Sequence, residues 1–186
     1  MIPDKLALTS DLLLKDIRKY PFDGISARSK RLKISNRKCG EAIESLAACK
    51  LLCKVDIKEK SGRRLLFELS DSIQSLGGIE HRFWNHHIAE LNKSKGYNVE
   101  IEKKIEGDGF IDQVIISGND NNIAIEIETG KSHPIETIKR DIELGFSKVI
   151  CVATNDKAYE FIYDKLSTEN LLNNPQVSFI LAANYK

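Results

Sequence analysis

The stretch IDQVIISGNDNNIAIEIETGK, residues 111–131, alternates apolar and polar residues on either side of the break Ser-Gly-Asn-Asp-Asn-Asn. Ile and Val dominate both flanks, so the pattern predicts two β-strands joined by a polar turn. Alternate residues on a strand share a face. Asp112, Val114 and Ile116 therefore lie on one side of the first strand, and Ala124, Glu126 and Glu128 on one side of the second. A turn over Gly118–Asn122 sets Asp112 opposite Glu128, with Glu126 on the diagonal. Carboxylates on half-buried strands cost free energy unless something pairs with them. Three of them so close also raise one another's pKa. A divalent cation removes the conflict, and an oxygen-rich site of this kind suits Mg²⁺ or Mn²⁺, which keep several waters and bind phosphate. The competing reading is a solvent-facing sheet edge whose glutamates pair with lysines.

The flanking sequence supplies the rest of a sheet. IEHRFWNHHIAELNKSK (79–95) predicts an amphipathic helix with Phe83, Trp84, His87, Ile88 and Leu91 on or near its buried side, ended by Gly96. YNVEIEKKI (97–105) predicts a strand before the pair already described. After it, Ser132-His133-Pro134 opens a helix carrying Ile135, Ile138, Ile142 and Leu144, which stops at Gly145. KVICVAT (148–154) is a continuous apolar strand of the kind buried on both faces. A helix in DKAYEFIYDKL (156–166) and a last strand in QVSFILA (176–182) complete the order α-β-β-β-α-β-α-β, a mixed sheet flanked by helices.

These acids, on these elements, resemble the PD-(D/E)xK nuclease superfamily, which includes many restriction endonucleases and Holliday-junction resolvases. Its αβββαβ core is followed in order by residues 79–153. The resemblance implies that Asp112 is the metal-binding aspartate, with Ile111 where the nominal proline would be, and that Glu126 is the acid of the (D/E)xK element. Glu128 stands at the lysine position, so this chain reads E-I-E where E-x-K is usual. Glu80 matches an additional acid that many members carry on the first helix, and Lys131 is available as a phosphate-side cation. The implied chemistry is metal-assisted phosphodiester hydrolysis, with Asp112 and Glu126 as ligands and Glu128 as a ligand or the water-orienting base.

Other motifs in this half are weaker. Gly130-Lys131-Ser132 looks like the end of a phosphate-binding loop, but Ile125 stands where that loop needs its first glycine. His81, His86 and His87 share one predicted helix, yet the last two are adjacent and cannot share a face, and no HExxH is present. His81, beside Glu80, either lines the cleft or is a surface or half-buried residue. Lys139 and Arg140 follow on the next helix, where they either contact DNA or are ordinary surface charges.

Residues 1–75 differ in charge. They hold 16 Lys and Arg against 10 Asp and Glu, a balance of +6, whereas the other 111 residues hold 12 against 17, a balance of −5. That split predicts two modules. TSDLLLKDIRKYPF (9–22) predicts a helix with Ser10 as N-cap, ISARSKRL (25–32) a second, and the stretch from Asn36 a third. Strands over Cys53–Ile57 and Leu65–Leu69 surround a Lys60–Arg63 turn. ISARSKRLKISNRKCGEAIESLAACKLL (25–52) resembles the helix-turn-helix core of winged-helix DNA-binding proteins, and KEKSGRR (58–64) resembles the wing.

The resemblance implies that the third helix is the recognition helix, beginning with Asn36, Arg37 and Lys38. Arg28, Lys30, Arg31 and Lys33 lie just before it with no intervening acid, and Lys58, Lys60, Arg63 and Arg64 add wing contacts to phosphate. A solvated basic surface used for protein contacts is the plainer alternative.

The expected architecture is α/β (α+β): a winged helix-turn-helix over 1–75 and a restriction-endonuclease-like domain over 76–186. Composition is that of a soluble globular chain, 41% hydrophobic and 30% charged, with no bilayer-length apolar run and no signal-peptide pattern. Cys39, Cys49, Cys53 and Cys151 show no CxxC spacing, which argues against a zinc ribbon or thioredoxin-type motif; Cys49 and Cys53, four apart, read as small core residues, and the protein as cytoplasmic. Two functions follow. One is a Mg²⁺- or Mn²⁺-dependent DNA endonuclease acting on duplex or branched DNA. The other is a non-catalytic DNA-binding or regulatory protein with a degenerate nuclease fold, as a homodimer or as a module of a larger DNA-processing machine.

Overall fold

In the computed structural model, which describes residues 4–71, 77–105, 107, 109–117 and 121–186, the chain is a mixed α/β protein. Its contacts divide it into two units, Met1–Ile79 and Glu80–Lys186. The expected boundary at residues 75 and 76 lies outside the described residues.

The first unit contains α1 (Asp4–Lys19), α2 (Ile25–Leu32), α3 (Asn36–Ala48) and the antiparallel strands β1 (Leu52–Glu59) and β2 (Gly62–Leu69). Ser10 is not the N-cap of α1: it sits buried inside that helix, because Lys5, Leu6, Ala7 and Leu8 are good helix formers that carry it further upstream. Between α2 and α3, Lys33 takes a left-handed conformation (φ 54°) that closes α2. Ser35 then caps α3, its hydroxyl accepting from Lys38 N at 3.2 Å. The apolar stripes meet as the 3.6-residue period requires: Leu13 and Ile17 of α1, Cys39, Ala42, Ile43 and Leu46 of α3, and Leu52, Phe67 and Leu69 of the hairpin form one buried cluster. Glu59 pairs with Gly62, so the hairpin turn is tighter than expected and Arg63 belongs to β2.

The second unit begins with α4 (Ile79–Ser94). It continues through β3 (Asn98–Lys104), β4 (Phe110–Ile116), β5 (Ile123–Glu128), α5 (Pro134–Glu143), β6 (Lys148–Ala153), α6 (Asp156–Thr168) and β7 (Val177–Leu181). The strands form one sheet in chain order, β3-β4-β5-β6-β7. The first three are antiparallel; β5, β6 and β7 are parallel, each parallel pair joined by a crossover helix. Val114, Ala124, Val149, Cys151 and Ala153 pack with Ile138 of α5 and Ala158, Ile162 and Leu166 of α6. Gln113 of β4 meets α4, its Nε2 donating to Asn85 O at 2.8 Å.

One register differs from expectation. Gln113 pairs with Ile125, Val114 with Ala124 and Ile115 with Ile123, so the ladder continues toward Asp112 beside Glu126, not Glu128. Period-two alternation does not choose between registers two residues apart, and Gly118–Asp120 of the expected turn lie outside the described residues; beside them Asn122 Oδ1 accepts from Ser117 N at 3.1 Å. A slip of two residues leaves every side chain on its original face, so the three acids stay together.

Candidate active site

The acids gather where β5 ends. Thr154 N donates to Glu128 O at 2.9 Å, which continues the β5–β6 pairing one residue beyond the strand. The C-terminal ends of parallel strands are where open α/β sheets place their ligands. Gly130, with φ +79°, turns the chain directly after β5. A Cβ there would sit 3.2 Å from Ala158 Cα, so the turn is packed against α6.

Asp112 lies near the start of β4, and its Oδ2 accepts from Ile127 N at 2.7 Å, between the two glutamates. His81 of α4 brings Nε2 to 3.1 Å from the same carboxylate. His81 is half-buried, with its ring against Asp112.

Glu126 and Glu128 are each only 5% exposed. Burial, then the Asp112 charge and a hydrogen bond with Asp141, push the Glu126 carboxyl well above the usual carboxylate range; Arg140 opposes them. Arg140 Nη2 lies 2.9 Å from Glu126 Oε1 and 2.7 Å from Asp141 Oδ1. Burial also raises the Glu128 carboxyl, against the hydroxyl of Ser132, which donates to its Oε2. Beneath both glutamates, burial and their charges push the Cys151 thiol well up, so it is an inert core thiol. Glu80 joins through Asn155, whose Nδ2 donates to Glu80 Oε1 at 2.8 Å while its Oδ1 caps α6 on Ala158 N at 2.9 Å.

Lys131 is exposed and makes no hydrogen bond or ion pair among the described residues; the cation that meets the acids is Arg140. Asp141, fully buried, is an acid that sequence reasoning did not single out. Its signal was its place between Ile138 and Ile142 on the apolar side of α5.

Among the described residues, no group of three or more His, Cys, Asp or Glu side chains already surrounds a point that a metal ion could take. Each acid is turned to a protein partner. The donor set still fits a hard divalent cation: it is all carboxylate, and burial holds two of its members above their usual pKa, with the Asp112 charge adding to it.

In the first unit, two of the expected DNA-contacting cations are committed internally. Arg28 is fully buried: Nη1 donates to Asp16 Oδ2 at 2.8 Å, Nη2 to Tyr20 O at 2.7 Å and Nε to Asp23 O at 3.0 Å. This corrects its reading as a phosphate contact. Arg31 is bound by Asp16 at 2.6 Å and by Asp23 at 2.8 Å, and lies over the Tyr20 ring. Two members of that run are thus neutralised by Asp16 of α1 and Asp23 of the segment before α2. Asn36 accepts from the Ser29 hydroxyl. Arg37 pairs with Glu41 one turn along α3 at 2.9 Å, and Arg64 with Glu59 across the hairpin at 2.7 Å. Lys30, Lys33, Lys38, Lys58, Lys60 and Arg63 are exposed.

Compared with known proteins, the chain matches no protein-family model, no curated protein and no solved structure. No helix of the described residues is long and apolar enough to cross a membrane.

Proposed function

We propose that this chain is a metal-dependent DNA endonuclease with a PD-(D/E)xK-type core in its second unit, delivered to DNA by a winged helix-turn-helix in its first. The observation that carries this reading is the carboxylate group at the end of β5. Asp112 is hydrogen-bonded between Glu126 and Glu128, and both glutamates are buried with raised pKa. Core positions are costly for acids, and three of them at the ligand end of the sheet outnumber the one guanidinium that meets them, which supports a bound cation.

Asp112 and Glu126 would hold Mg²⁺ or Mn²⁺, with Glu128 as a further ligand or as the base that orients water, and Glu80 nearby on α4. A bound ion of this kind polarises the scissile phosphate and lowers the pKa of the attacking water. Glu128 can orient water because Ser132 fixes its carboxylate. On DNA, Lys38 and Arg37 at the start of α3 and Lys60 and Arg63 at the hairpin tip would neutralise phosphates. Lys30 and Lys33 flank them. Supercoiled plasmid and branched DNA, incubated with the pure protein and Mg²⁺, Mn²⁺ or chelator, test the reading: metal-dependent nicking is expected.

A second reading has its own support. Asp112, Glu126 and Glu128 are each satisfied by a protein partner, namely His81 with Ile127 N, Arg140, and Ser132. A non-catalytic DNA-binding module would keep them so. Tight duplex binding with all DNA left intact in both metals would establish it.

A further inference from the structure

The residue missing from the usual E-x-K spelling is a cation, and the structure offers one from a different element. Arg140 reaches from α5 so that Nη2 lies 2.9 Å from Glu126 Oε1, while Nε and Nη2 both contact Asp141 Oδ1, at 2.8 and 2.7 Å. Asp141 is 0% exposed, and its other carboxylate oxygen has no hydrogen-bond partner. Beside the guanidinium the chain turns at Gly109, with φ +113°. A Cβ there would stand 3.3 Å from Arg140 Nη1, so a side chain at 109 would crowd the guanidinium. The Arg140 side chain is 29% exposed, which leaves part of it open to solvent.

Resting on the nuclease reading, we propose that Arg140 is the cation of this site, the group that contacts the scissile phosphate, with Asp141 as its positioning residue. Three features support the assignment. A guanidinium matches phosphate geometry, since its planar donors bind two oxygens at once. Its anchor outlasts its exchangeable contact: Asp141 Oδ1 holds both Nε and Nη2, whereas the second contact of Nη2, to Glu126, can be surrendered when Glu126 takes a divalent cation. Arg140 also already contacts Glu126, whereas exposed Lys131 makes no hydrogen bond or ion pair among the described residues. Before metal binds, Arg140 is therefore a competitor for Glu126, and afterwards a free donor edge held in place by a buried carboxylate.

The test uses the full chain with Arg140→Gln, Arg140→Lys, Asp141→Asn and, as a control on the same helix, Lys139→Gln, whose lysine pairs with Glu169 at the surface. Circular dichroism first confirms that each variant is folded. Calorimetric titration with Mn²⁺ alone is the primary readout. Arg140→Gln should bind Mn²⁺ roughly fivefold more tightly, the effect of removing one like charge a few ångström away. Asp141→Asn should bind it more weakly, because Arg140 then has only Glu126 to hold. Opposite signs distinguish these roles from general loosening of the fold, which would move both variants the same way.

Plasmid cleavage is the second readout. Arg140→Gln should lose at least about 100-fold, the usual cost of a transition-state donor, with partial recovery in Arg140→Lys and none of this loss in Lys139→Gln. Cleavage by Arg140→Gln within threefold of the unaltered protein would overturn the assignment. If the unaltered protein cleaves nothing, the nuclease reading fails. The Mn²⁺ titration then decides alone: tighter binding by Arg140→Gln supports Arg140 as the cation of the cluster, and unchanged affinity overturns it.

Discussion

Arg28 and Asp16 form an ion pair inside the first unit, Nη1 to Oδ2 at 2.8 Å, with side chains 0% and 5% exposed. Burial lowers the Arg28 pKa against the pull of Asp16 and Asp23, yet a guanidinium in this setting remains charged. The pair ties α1 to α2, and the same Asp16 carboxylate also receives Arg31. Two cations that sequence places on a DNA-facing surface thereby become part of the scaffold.

Removing one partner of such a pair strands the other. Asp16→Ala should destabilise the first unit by about 3–5 kcal/mol, because the Arg28 charge stays buried with only backbone carbonyls to receive it. Urea unfolding of the full chain would show the corresponding transition at a lower midpoint; a change under about 1 kcal/mol would place Arg28 in solvent.

The same carboxylate sets an acid limit. Burial pushes the Asp16 pKa up, but hydrogen bonds from Arg31 and Arg28 outweigh it, and the folded value lies below the ordinary 3.8. A depressed carboxyl contributes stability that is fully present above its unfolded value and is lost as pH falls through the folded one. Between pH 5 and 8 this contribution should be flat, and below about pH 4 it should disappear. Asp16→Asn should flatten that acid limb, as followed by thermal melts across pH.

Duplex binding should rest on the exposed cations. Arg37→Glu with Lys38→Glu should weaken it far more than Lys93→Glu with Lys95→Glu. The first pair should also make the slope of log affinity against log salt shallower, by about 1 for each phosphate that is no longer neutralised. Fluorescence anisotropy over a salt series measures both, and equal effects of the two pairs would move the docking surface away from α3.

Metal should stabilise the second unit. Burial raises the Glu126 and Glu128 carboxyls, and a bound divalent cation would favour their charged forms, so millimolar Mn²⁺ or Mg²⁺ should raise the thermal midpoint, and Glu126→Gln should shrink the rise. At about 100 times the dissociation constant the gain is about 2.7 kcal/mol. A midpoint indifferent to metal would favour acids kept for structure.

Asp112→Asn is the sharpest test of catalysis. Its amide oxygen can still accept from Ile127 N, so the strand end is retained while the charge is lost. Cleavage should vanish, with DNA affinity within about twofold of the unaltered protein if, as proposed, that affinity is electrostatic and arises in the first unit. Glu128→Lys restores the usual spelling but puts an ammonium at a buried position beside Ser132. Retained cleavage would mean that position 128 only orients water and stabilises charge; lost cleavage would make Glu128 a ligand.

The element order was legible because periodicity is a local property. Alternation in residues 110–117 and 122–129 specified both the strands and the common face of Asp112, Glu126 and Glu128, and the apolar run 148–154 specified a central strand. Helix ends were readable where a breaker sits in the chain, as at Gly96. The start of α1 was misread because Ser10 has the chemistry of a cap, and nothing local says that the helix runs past it.

Pairing between distant residues was not legible in the same way. The β4–β5 pairing lies two residues from the expected register, because alternation specifies the face of each side chain and not which of two same-face registers is taken. Arg28 and Arg31 read as free cations because Asp16 and Asp23, which bind them, lie outside the run of positive charge. Arg140 read as one surface charge among many on α5, and Lys131, three residues beyond Glu128, as the nearer partner. The sequence carried which residue types lie on which face. Which carboxylate a given guanidinium meets depends on how helices pack over the sheet, and there the reach of an arginine side chain outweighs nearness along the chain.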